Sequence, residues 1–116
     1  MANQPNPELE RDIVEYQNSE KQLQMVMLQK HQLQLQLNEL TMALEEVAKA
    51  KGDVYKAAGT IMMKSTREDA EKDLKEKKEL FGIRVTALSQ QEEKLKSSLL
   101  KLQKKIELTG GYGPSM

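Results

Sequence analysis

The residues able to do chemistry in this sequence are few. There is one histidine, His31, and no cysteine at all. A metal centre needs several convergent ligands, so a lone His31 beside Lys30 reads as a surface residue. No glycine-rich phosphate loop, nucleophile elbow or metal-ligand spacing occurs. The carboxylates are spread along the chain and gather around no recognisable pocket. The expectation is a protein that is no enzyme, with no catalytic residue, no metal and no cofactor, ATP included. What remains is non-covalent binding. Lys94, Lys96, Lys101, Lys104 and Lys105 form a basic stretch free of acids. A run of this kind is usually a solvated helix face. Reading single-stranded nucleic acid would require aromatic residues interleaved with the lysines, and they are missing. With Lys plus Arg at 18 and Asp plus Glu at 18, no basic excess points to nucleic acid either.

The apolar residues carry more information, and their spacing names the elements that position them. The 116 residues include one Phe, three Tyr and no Trp, too few large aromatics for an ordinary globular core. Leu9, Asp12, Tyr16, Ser19, Leu23, Val26, Lys30, Leu33, Leu37, Leu40, Leu44 and Val47 follow alternating steps of about three and four residues, the seam of a coiled coil. A first helix is expected over 7–50. Asn6 caps it, Pro7 takes the first helical position, and Glu8 and Glu10 complement the helix dipole. Gly52 is expected in the left-handed conformation past its end. A second stripe, Leu28, Leu35 and Met42, widens the apolar face and predicts a further packing partner. The second helix is expected over 66–109, opened by Ser65-Thr66-Arg67-Glu68-Asp69, which carries two capping-box-like pairs. Its seam is Leu74, Lys78, Phe81, Val85, Leu88, Glu92, Leu95, Leu99, Leu102 and Ile106. Residues 110–116 are expected to form a flexible tail.

Two helices of roughly 40 residues, each about 60 Å long, with a short connector predict an antiparallel pair within a single domain over 1–116. Residues whose numbers sum to about 115 then lie level, which brings Leu9 near Ile106. The connector, 53–64, is too long for a helical turn and rich in strand formers. It reads as two strands, Val54–Ala57 and Thr60–Lys64, turning near Ala58-Gly59. An isolated β-hairpin is marginal in water and has unpaired edges. Val54, Tyr55, Ile61, Met62 and Met63 are therefore expected to form a subunit-assembly surface. At the opposite end of the coil, Leu9, Ile13, Val14, Leu100, Leu102, Ile106 and Leu108 are candidates for an apolar binding tip. Leu9, Leu102 and Ile106 lie on the seams, where a core role competes, whereas Ile13, Val14, Leu100 and Leu108 lie off them. The N-terminus lacks the regions of a signal peptide, and no apolar run is long enough for a bilayer. A cytoplasmic protein without a membrane partner is expected.

The segment Val54-Tyr55-Lys56-Ala57-Ala58-Gly59-Thr60-Ile61-Met62-Met63-Lys64, between two matched heptad helices, resembles the hairpin region of archaeal prefoldin β subunits. The similarity runs from the Gln-rich first helix to Gln91-Glu92-Glu93-Lys94-Leu95. One hairpin rather than two resembles the β type rather than the α type. The resemblance implies a mainly α fold: an antiparallel two-helix coiled coil with a short β-hairpin between the helices, assembling into a multi-subunit β-barrel body with projecting coils. The implied assembly is an α2β4 hexamer of this chain with prefoldin α subunits. It also implies an ATP-independent holdase that binds unfolded proteins at the coil tips and passes them to a group II chaperonin, with Lys101, Lys104 and Lys105 as a possible docking patch. This sequence departs from the family at Met62 and Met63, where Val or Ile is more usual, at Gly82 within the second helix, and in its Gly-rich tail. The rival reading is a structural coiled-coil scaffold or dimerisation module for a folded partner, which would need no strands between its helices.

Overall fold

The computed structural model describes residues 6–110. The elements run α1 (Pro7–Lys49), β1 (Val54–Ala58), β2 (Ile61–Ser65) and α2 (Arg67–Gly110). Of the tail expected over 110–116, Gly110 closes α2 and the rest lies outside the described residues.

Side chains set the helix starts. Asn6 Oδ1 accepts hydrogen bonds from the backbone N–H of Glu8 (3.1 Å) and Leu9 (3.3 Å). Asn6 O accepts the first intrahelical bond, from Glu10 N at 3.0 Å. At α2 the hydroxyl of Thr66, not that of Ser65, is the cap. Asp69 N donates to Thr66 Oγ1 at 3.1 Å and Ala70 N to Thr66 O at 3.0 Å. Each cap satisfies donors that the first helical turn leaves unpaired. The end of α1 differs from the sequence expectation. Gly52 does not have a positive φ; Ala50 N instead donates to Val47 O at 3.1 Å. This tighter i→i−3 bond consumes a terminal carbonyl without a left-handed residue.

The strands pair antiparallel, with Val54 opposite Ser65, Lys56 opposite Met63 and Ala58 opposite Ile61. The turn is therefore Gly59-Thr60, one residue later than the sequence reading placed it. Gly59 has φ of 61° and Thr60 does not have a positive φ. This is the pattern of a type II′ turn, which takes Gly at its first central position and matches the twist of the flanking strands.

The chain forms two compact units. In the first, whose described residues are 6–29 and 88–110, the last turns of α2 lie beside the first turns of α1. Val26 is buried, and Leu9, Tyr16, Leu23, Leu95, Leu99, Leu102 and Ile106 are half-buried along the seam. Two seam positions carry buried acids, Asp12 and Glu92. Lys96 Nζ donates to Glu92 Oε2 at 3.0 Å. Lys105 Nζ donates to Asp12 Oδ1 at 3.4 Å and stands 3.4 Å from Oδ2, which accepts no hydrogen bond. Buried carboxylates are tolerated when paired in this way.

The second unit, Lys30–Ala87, contains the β-hairpin. Leu33, Leu37, Leu40, Leu44, Val47, Leu74, Phe81 and Val85 are half-buried, and Ala70 is buried. The Arg84 guanidinium stands 5.8 Å from the Phe81 ring centre. Lys78, read as a seam position, is exposed; a long charged side chain can lay its stem on apolar surface and keep its head in water. Among the described residues, Val26 and Ala70 are the buried apolar residues, still 5% and 8% exposed. Each half-buried Leu therefore contributes less than the ~1.5–3 kcal/mol of a fully buried one.

Candidate interaction surfaces

The β-hairpin presents apolar side chains on both faces. Directly paired residues share a face, so Val54, Ala58, Ile61 and Met63 lie on one, and Tyr55, Ala57 and Met62 on the other. Tyr55 (55% exposed), Ile61 (62%), Met62 (65%) and Met63 (49%) are open, while Val54 is half-buried. Among the described residues the sheet has two strands, so each keeps an unpaired edge. Lys56 is ion-paired with Asp73 of α2, and Lys64 Nζ stands 3.6 Å from Asp53 Oδ1. Lys56 and Met63 thus face the start of α2, in a polar cleft with Asp69, Asp73 and Glu76.

The tip candidates divide by face. Ile13 and Ile106 come together with Tyr16 in one groove between α1 and α2. Val14 lies apart from them, in a shallow polar depression on α1 with Pro7, Arg11 and Asn18. Leu100 and Leu108 are exposed, Leu108 to 86%, and line neither hollow. Leu9 and Leu102 are half-buried on the seam. Glu20, Gln103 and Glu107 also line the Ile13–Ile106 groove. The sequence reading passed over them. The three-and-four spacing of Ile13, Tyr16 and Glu20 puts them on one helix face, but the α2 wall depends on how the helices pair.

Of the three lysines considered for docking, Lys101 and Lys104 are exposed. Lys105 is engaged with Asp12 and stands 3.4 Å from Glu8 Oε1. Hydrogen bonds to Asp12 and Glu8 hold its ammonium above the ordinary pKa of 10.5. Leu28, Leu35 and Met42, the second stripe, are 58%, 49% and 64% exposed. His31 is exposed. Among the described residues no group of three His, Asp or Glu could hold a metal ion, and no helix is long and apolar enough to cross a membrane.

Comparison with known proteins gives a consistent result. The family described as "Prefoldin subunit" matches residues 10–109. Prefoldin subunit beta of Methanocella arvoryzae is 41% identical over 59 residues, 47% of this chain and 47% of that protein. The protein of the same description from Archaeoglobus fulgidus is 43% identical over 47 residues, 40% of each chain. These alignments span under half the length of the curated relatives. The crystal structure of the prefoldin beta subunit from Thermococcus strain KS-1 superposes with a TM-score of 0.83 at 36% identity, covering 94% of this chain and 96% of that one. The beta2 subunit from the same source, at 19% identity and a TM-score of 0.70 over 77% of this chain, shares the fold.

Proposed function

We propose, from the premise that the chain belongs to the prefoldin subunit family, that it is one subunit of a chaperone that holds unfolded polypeptide without ATP. The observation that carries this reading is the set of apolar side chains its own fold leaves uncovered. Tyr55, Ile61, Met62 and Met63 stay open on a two-stranded sheet, and Ile13, Val14, Leu100 and Leu108 stay open around the first unit. These sets call for different occupants. The hairpin has free strand edges, so other subunits' hairpins can add strands and cover both faces in a β-barrel body. The assembly would be a hexamer of this chain with prefoldin α subunits, in the cytoplasm. The tip offers scattered apolar side chains and a shallow groove, which suit clients without fixed geometry. Several tips acting on one chain multiply weak contacts through effective concentration, so no deep pocket and no nucleotide are needed. Transfer to a group II chaperonin would use the free lysines, Lys101 and Lys104, more than Lys105, whose charge is offset.

The test is suppression of aggregation, read by light scattering as a denatured model protein is diluted into buffer without nucleotide. Complexes lacking residues 1–13 and 103–116 should assemble normally and protect less than full-length complexes at equal concentration. Equal protection would place the client site elsewhere.

A further inference from the structure

The groove in the first unit has a volume of about 350 Å³. Its floor is apolar: Ile13 and Tyr16 from α1 and Ile106 from α2. Its charged groups are both acids, Glu20 and Glu107, and no Lys or Arg lines it. Neither acid has an ion-pair partner among the described residues; Glu107 accepts one hydrogen bond, from the neutral Gln103 amide at 3.4 Å. None of the nearby lysines lines it; Lys104, three residues before Glu107 and about 60° from it around α2, stands at its margin without an ion pair among the described residues. At about 100° per residue, Lys101 and Lys105 project roughly opposite the α2 face that carries Gln103, Ile106 and Glu107. Lys105 is already bound to Asp12 and Glu8. The groove thus joins an apolar floor to two carboxylates that no ion pair holds among the described residues.

We infer that this groove receives unfolded segments in which an apolar residue is flanked by Lys or Arg. The inference rests on the holding role proposed above and names the class of segment held. The apolar side chain covers Ile13, Tyr16 and Ile106. The flanking cation meets Glu20 or Glu107, and the Tyr16 ring offers it a second attractive face. A segment flanked by Asp or Glu meets like charge over the same floor and is rejected. Selection of this kind needs no shape complementarity, so it is compatible with clients of no fixed structure.

The experiment uses fluorescence anisotropy of labelled peptides sharing a Leu-Ile-Leu core and flanked by Lys, Gln or Glu, titrated with full-length chain at low salt. The Lys-flanked peptide should bind about three- to tenfold tighter than the Gln-flanked one, the scale of one or two exposed ion pairs. The Glu-flanked peptide should bind most weakly, and added salt should compress the series. In the Glu20→Gln/Glu107→Gln variant the order should vanish. A flat series, or an order that survives in that variant, overturns the inference. An Ile13→Asn variant, which removes apolar floor without adding charge, separates the holding site from its selectivity. If it weakens every peptide while the wild type shows no charge preference, the holding site stands and the selectivity fails. If it binds all peptides as the wild type does, the groove holds nothing and both readings fail.

Discussion

Replacing Ile61 and Met63 together by Asp tests the hairpin as the joint between subunits. The side chains sit two residues apart on one face of β2 and are 62% and 49% exposed in the single chain. The chain alone covers about half of each, Met63 against the start of α2, so the substitution carries a local cost at the hairpin, while the long helices and their seams should keep the helix content. Assembly should suffer. Full burial of an Ile or Met side chain is worth ~1.5–3 kcal/mol, and about half of each remains to be covered. The pair then stands to lose roughly 2–3 kcal/mol per interface before the cost of desolvating two carboxylates, or about 30- to 150-fold in affinity. Sedimentation velocity should show smaller species for the variant while circular dichroism stays the same. An unchanged sedimentation profile would refute the argument. Loss of helix in the isolated chain would show that these side chains support folding.

Other outcomes follow from single contacts. Gly82 lies inside α2 with nothing within 4 Å of an added Cβ, so Gly82→Ala should stabilise the chain by about 1 kcal/mol, seen as a higher melting temperature. Thr66→Ala removes the acceptor for Asp69 N and should cost about 1 kcal/mol, with Thr66→Ser recovering most of it, by denaturant titration. Lys105 has its pKa raised by Asp12 and then Glu8. The stability it contributes is complete below its unfolded pKa and lost as pH rises through the folded one. The stability gap between wild type and Lys105→Met should therefore close above about pH 10.5, and a gap that persists there would assign the effect to packing.

Much of this fold was legible because the seams are regular. Every α1 position from Leu9 to Val47 assigned to the seam is buried or half-buried, since a heptad pattern fixes which face a helix turns inward. Asn6 was legible as a cap for a similarly local reason, and Thr66 as one of two candidates with Ser65. The errors came where backbone conformation has more than one solution. Gly52 needs no left-handed conformation, because an i→i−3 bond ends α1, and the hairpin turns one residue later than its composition suggests. Gly59 can occupy several turn positions, and only the pairing of Ala58 with Ile61 selects one. The groove was half legible. Ile13, Tyr16 and Ile106 were visible as apolar residues at the chain ends, but Glu20 and Glu107 share a wall only through the register between α1 and α2. Sequence spacing along one helix holds no information on that.

The claim that this chain holds unfolded polypeptide at its tip is tested most directly by photocrosslinking in the assembled complex. A photoreactive residue is placed at Ile13, at Ile106 or at Tyr55, and a denatured client is added without nucleotide. Client adducts are expected from Ile13 and Ile106, and adducts between subunits from Tyr55. Client adducts from Tyr55 with none from Ile13 and Ile106 would contradict that claim.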